Sequence, residues 1–141
     1  MTPKTQIMVQ TAVRLPLSTV WQSWTAPVHI TGWNAASDDW HTPVAENELR
    51  AGGRFRYRME ARDGSAGFDF CGTYDSVLIE KQISCTLDDD RKVTVQFELR
   101  GDSTVITETF EAENLNSVEL QRTGWQAILD NFKRYTESVF G

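Results

Sequence analysis

The segment GWNAASDDWHTP, Gly32 to Pro43, holds two tryptophans, two adjacent aspartates and a histidine within twelve residues. Asp38, Asp39 and His41 are residue types that bind metal ions. One loop supplies three ligands at most, however, and no second cluster at metal spacing accompanies it. His29 is the only other histidine in the chain. The composition suits the rim of an apolar pocket better: Trp33 and Trp40 supply walls, while Asp38, Asp39 and His41 face water or an entrance. Two alternatives stay open: core filling by both tryptophans, and a turn or cap at Asp38-Asp39 with His41 starting a strand. A second chemical candidate is Glu108, in the stretch TVITETF. Ile106 and Phe110 are apolar and share a parity along a strand, so Glu108 between them shares their side. If that side is covered, a carboxylate there is costly unless paired, hydrogen-bonded or protonated. Glu108 is then a candidate ligand anchor or general base, with His41, Tyr57 or a water as partner. The reverse assignment, with Val105, Thr107 and Thr109 inward and Glu108 on the surface, stays open on the sequence.

Other reactive residue types find no companions. Ser37, Cys71 and Cys85 lack a His–Asp set at a recognisable spacing. The run Arg50-Ala51-Gly52-Gly53 lacks the lysine and the following helix of a phosphate loop, so a tight turn is expected there. Alternation places Cys71 outward and Cys85 inward, and thiols on opposite faces of a sheet cannot reach disulfide geometry. Neither a metal nor another cofactor is expected.

The elements that must position these residues follow from periodicity. QIMVQTAVRL reads as a first strand, and LSTVWQSWTAP as a helix that Pro27 ends. VHITGWN suggests a second short helical turn. From Gly52-Gly53 the period becomes two. In RFRYRMEAR, Phe55, Tyr57, Met59 and Ala61 share one face and the arginines the other, so the basic row is a solvated face rather than a nucleic-acid stripe. FDFCGTYDSVLI pairs with it across a DGSAG turn, with Gly72 as a candidate bulge. QISCTL, KVTVQFELR and TVITETFEAE complete a meander. The last segment carries Trp125, Ile128, Leu129, Phe132, Tyr135 and Val139 at spacings of three and four, an amphipathic helix. Gly124 inside it suggests close packing against its backbone.

The chain has 141 residues, 40% of them hydrophobic, which suits one domain with one sizeable core. A net charge of −6 argues against nucleic acid as a partner. No window reaches the ~18 apolar residues of a membrane span. The start, MTPKTQIMVQ, lacks the apolar run of a secretory signal. A cytoplasmic location, away from membranes, is therefore expected.

Several of these pieces, in this order, carry a resemblance. VWQSWTAPVHITGWN, LRAGGRFRYRMEARDG, FDFCGTYDSV, VTVQFELRGDSTVITETFEAE and QRTGWQAILDNFKRY resemble the bacterial homologues of the activator of heat-shock protein 90 ATPase, within the START-like (helix-grip, SRPBCC) superfamily. The R-x-G-G-x-F and G-W-x-x-I-L elements together carry most of it. The expected class is α+β: a curved antiparallel sheet of about six strands wrapped around a long C-terminal helix, with two short helices after the first strand. The superfamily includes binders of apolar or aromatic ligands, cyclases and co-chaperones, and fold alone does not choose among them. The inward aromatic rows favour a small hydrophobic or aromatic ligand between sheet and helix. Its expected lining is Phe55, Tyr57, Met59, Phe68, Phe70 and Phe97 from the sheet and Trp125 and Leu129 from the helix. Trp33, Trp40 and His41 are expected at the rim, and Glu108 as the polar anchor. The alternatives are a cyclase- or hydrolase-like enzyme using a cavity carboxylate and, ranked lowest, a co-chaperone acting on a heat-shock ATPase. Exposed edge strands leave a homodimer open.

Overall fold

The computed structural model describes residues 4–141. Residues 1–3, part of the amino-terminal stretch read for a signal segment, lie outside it. Strand β1 (Gln6–Val13) is followed by helices α1 (Leu17–Thr25) and α2 (Pro27–Trp33). Six strands then run consecutively: β2 (Trp40–Asn47), β3 (Arg54–Ala61), β4 (Gly67–Leu78), β5 (Gln82–Leu87), β6 (Lys92–Arg100) and β7 (Ser103–Glu111). Helix α3 (Val118–Phe140) closes the chain. All strands belong to one antiparallel sheet in the order β1-β7-β6-β5-β4-β3-β2. This is the expected helix-grip architecture, with seven strands rather than about six. The additional strand is β2, which begins in the segment read as a pocket rim and runs on beyond it. It pairs with β3 through a register shift between His41 and Val44, where Pro43 cannot donate to a ladder.

Local chemistry accounts for the element ends. Ala26 precedes Pro27 and is extended (φ −78°, ψ 126°), so α1 stops and α2 restarts with proline in its first turn. The Ser117 hydroxyl accepts from the Leu120 amide at 3.1 Å and caps α3. Gly52 takes φ +81°, and the turn it forms is tied to β4 by bonds from its own amide to the Tyr74 carbonyl and from the Tyr74 amide to the Gly53 carbonyl. The Gly52 amide is thereby committed, in keeping with a turn rather than an anion cradle.

Two glycines serve ends other than those expected. At Gly72 the ladder to β5 is regular, and the bulge falls between Tyr74 and Ser76. A Cβ on Gly72 would lie 2.8 Å from the Phe55 ring, so its lack of a side chain admits that ring. The close helix contact expected at Gly124 occurs instead at Gly32, where the Tyr135 ring would lie 2.4 Å from a Cβ. Around Gly124 nothing lies within 4 Å of that position.

The concave face holds the core. At one end Trp24 stacks on Trp33 at 4.9 Å and meets Phe132 and Phe97 edge-on. The buried Ser23 and Thr136 hydroxyls bond at 2.8 Å, joining α1 to α3. The convex face carries the arginine row in ion pairs: Arg54 with Asp88, Arg56 with Glu46 and Arg58 with Glu60. Those pairs identify it as a solvated face, as alternation indicates. No described helix is long and apolar enough to cross a membrane.

Candidate functional site: a cavity between sheet and helix

Helix α3 leans on β1, α1 and α2. Away from that end the curved sheet stands clear of it and encloses a cavity of about 360 Å³. That volume falls within the ~300–1,000 Å³ range of small-molecule sites. The register orders its floor. Phe55 faces Gly72, and Gly72 faces Leu87. Tyr74, Cys85, Val93 and Phe110 form the next row, and Ile83, Val95 and Glu108 the one after. Trp125 roofs this floor: it stacks on Phe110 at 3.8 Å and meets Phe70 edge-on at 6.1 Å. Phe68 and Leu120 line the cavity yet are 47% and 59% exposed, which marks the mouth between the β3–β4 hairpin and the start of α3. Gln121 fixes that rim, since its amide bonds the Glu113 and Asn116 carbonyls and accepts from the Glu113 amide.

Eight of the twelve residues expected from sequence line this cavity: Trp33, Phe55, Tyr57, Met59, Phe68, Phe70, Glu108 and Trp125. Trp33 does so from the filled end rather than the expected rim, buried against Trp24 and Phe132 with its indole nitrogen donating to the Ser23 carbonyl. The other four do not. Phe97 and Leu129 share the inward parity but lie at the filled end, Phe97 5.2 Å from Trp21 and Leu129 fully buried. Trp40 pairs with Ala61 at the sheet edge and packs 6.0 Å from Phe68. His41 points to the convex face, 3.9 Å from Glu60, and is therefore no partner of Glu108. Asp38 and Asp39 lie in the turn before β2, where their carbonyls accept from Arg62. Among the described residues, no three His, Cys, Asp or Glu side chains converge as metal ligands do.

Glu108 lies on the inner face, between Val9 of β1 and Val95 of β6. Its residual exposure is to the cavity, and desolvation lifts its carboxyl to about 8. Among the described residues, no donor and no cation sets that value; burial alone does. Tyr57 is pushed well above the ordinary phenol range by burial, with smaller contributions from Tyr74, Cys85 and Glu108. Burial likewise raises Tyr74, and raises Cys85 to about 12, with the Glu108 charge adding to the latter. Cys71 lies on the other face, and both cysteines are free.

At the deep end a polar chain crosses the cavity wall. The Tyr74 hydroxyl donates to Asn47 Oδ1 at 2.6 Å, and Asn47 Nδ2 donates to the Thr25 carbonyl at 2.7 Å. At the mouth, Arg91 Nε donates to Asp89 at 2.8 Å. Sequence reasoning missed Asn47 because it belongs to β2, which was not counted in the sheet. It missed Ile83, Cys85, Val93 and Val95 as lining, although their alternation was legible. It read Gly124 for the wrong reason: the position lines the cavity, and its missing side chain leaves space there.

A helix gripped by a curved antiparallel sheet, with an aromatic cavity between them, defines a START-like domain. The family model for Activator of Hsp90 ATPase homolog 1-like protein matches residues 14–137, and the chain belongs to that family. An AHSA1-like protein from Aeromonas hydrophila is similar at 45% identity, over 95% of this chain and 93% of that one, with a TM-score of 0.90. A Cytophaga hutchinsonii protein shares 47% identity over 96% of this chain and 92% of its own, with a TM-score of 0.80. A Nitrosomonas europaea protein at 16% identity shares the fold, over 98% of this chain and 97% of its own, with a TM-score of 0.81. The search of curated proteins returned no match.

Proposed function

We propose that this protein binds a small hydrophobic or aromatic molecule in the sheet–helix cavity. The observation that carries the reading is a cavity of about 360 Å³ walled by Phe55, Tyr57, Phe70 and Trp125 and left unfilled by the chain's own side chains. Packing alone would favour closing the helix onto the sheet there, because apolar walls that face an unfilled space forfeit dispersion contacts. A backbone cost is also accepted at Gly124, whose side chain would otherwise project into open space. The aromatic walls supply apolar area, and the Tyr57 and Tyr74 hydroxyls with Glu108 supply orientation. Titration with the neutral fluorophore N-phenyl-1-naphthylamine tests this. One saturable site per chain, lost in Gly124→Phe, is expected; absence of saturable binding to the folded wild type overturns the reading.

A second reading is favoured by one observation. A carboxyl lifted to about 8 suits a general base near neutral pH. In that case the cavity is the active site of a cyclase- or hydrolase-like enzyme, and Glu108→Gln abolishes turnover without abolishing ligand binding.

A further inference from the structure

The cavity's polarity is one-sided. Among the described residues, Glu108 is the only carboxylate on its inner floor, and each element around it presents apolar or neutral groups. These are Val9 on β1, Tyr57 on β3, Tyr74 on β4, Cys85 on β5, Val95 on β6 and Trp125 on α3. The charged lining groups are Arg91 and Glu113, placed with Asn116 and Gln121 at the mouth. Arg91 is engaged there by Asp89. The two histidines lie elsewhere: His29 bonds Tyr135, and His41 faces Glu60.

We propose that the ligand is an apolar or aromatic amine, its ammonium group seated against the Glu108 carboxylate and its body among Tyr57, Phe70 and Trp125. The inference rests on the ligand-binding reading above and specifies it. Three considerations support an amine. A ligand anion would be desolvated against a floor that offers no cation to pair with it, and it would repel Glu108 wherever that carboxyl is ionised. A ligand carbonyl would need only a neutral donor, which a glutamine supplies without the desolvation cost of a carboxyl. An ammonium group gains from the carboxylate and from the faces of the surrounding aromatic rings together. The Glu108 proton leaves for solvent as the ion pair forms, and the amine keeps its own.

That exchange gives a signature distinct from simple apolar binding. With the carboxyl at about 8, only the ionised fraction of the protein accepts the ammonium group. That fraction rises about fifty-fold between pH 6 and pH 8, and the amine's apparent affinity rises with it. Tyr57, Tyr74 and Cys85 keep their protons throughout, since burial raises all three.

The test is isothermal calorimetry with three probes of one ring system: 2-naphthylmethylamine, 2-naphthylmethanol and 2-naphthoate. Titrations run at pH 6, 7 and 8 in buffers of different ionisation heat. The amine is expected to bind at least tenfold more tightly than the alcohol at pH 8 and to release close to one proton at pH 7. The naphthoate is expected to bind weakest. Glu108→Gln should erase the preference and the proton release while the neutral alcohol still binds. If the alcohol binds wild type as tightly as the amine with no proton released, the amine inference fails and the cavity reading stands. A preference for the amine that survives in Glu108→Gln also overturns the inference. If none of the three binds saturably, both fail.

Discussion

Replacing Glu108 by glutamine should make the ligand-free protein more stable, and by an amount that depends on pH. Folding moves this carboxyl from an ordinary 4.5 to about 8. Between those values the unfolded chain has released the proton and the native protein retains it. Stability therefore falls as pH rises through that window, and the full cost is reached above pH 8. Each pH unit by which folding displaces a titration costs about 1.4 kcal/mol, so the window from 4.5 to pH 7 amounts to about 3 kcal/mol and the whole displacement to about 5 kcal/mol. Water reaching the cavity and the buried amide of glutamine both reduce the gain, which leaves about 2 kcal/mol at pH 7. Urea denaturation of both proteins at pH 4, 5, 6, 7 and 8, after removal of co-purified ligand, measures the difference directly. Near pH 4 the variant should hold no advantage, and from pH 5 upward its stability relative to wild type should rise steadily, so that it is the more stable at pH 7. A constant difference across the range would show that Glu108 titrates normally in the folded protein, and the desolvated-carboxyl argument would be refuted.

Other substitutions separate cavity from core. Gly124→Ala should stabilise α3 by up to about 1 kcal/mol in thermal melts, because its Cβ meets nothing within 4 Å; a destabilised variant would mean that the helix packs closely there. Gly72→Ala should cost about 1–3 kcal/mol in chemical denaturation, since the new Cβ would lie 2.8 Å from both the Phe55 ring and the Thr86 carbonyl. Thiol titration of the denatured, unreduced protein should find both Cys71 and Cys85 free. In the native protein at pH 8 the half-buried Cys71 should react well before Cys85, whose thiol burial pushes up to about 12; equal native rates would contradict the placement of Cys85 on the cavity floor.

Strict alternation made much of this legible from the residues. KVTVQFELR and RFRYRMEAR each have one apolar and one polar parity, so strand, face and the exposure of the arginines followed together. Ile106 and Phe110 pointed Glu108 inward in the same way but left the reverse parity open, and it is their burial in the structure that decides between the two. Parity says which face a residue takes but not how far along the sheet the covering helix touches it. Phe97 and Phe55 are equivalent by alternation, yet Trp21 and Trp24 fill the space beside Phe97 and leave the space beside Phe55 open. A strand starting at His41 was legible only as an alternative, and WHTPVAEN was not counted in the sheet because Pro43 interrupts it and its pairing shifts register at that point. Without β2, neither Asn47 in the cavity nor His41 on the convex face could be assigned. Glycine is silent about which neighbour it admits: Gly32 accepts the Tyr135 ring, Gly72 accepts Phe55, and Gly124 accepts nothing from this chain.

The claim that the cavity itself is the binding site is tested most directly by NMR, with methyl-labelled protein saturated with N-phenyl-1-naphthylamine. The expected result is a set of intermolecular nuclear Overhauser contacts from the naphthyl ring to the methyl groups of Ile83, Val93, Val95 and Ile128, which line the cavity from sheet and helix. Contacts confined to exposed surface methyls such as those of Leu78 and Ile79 would contradict it.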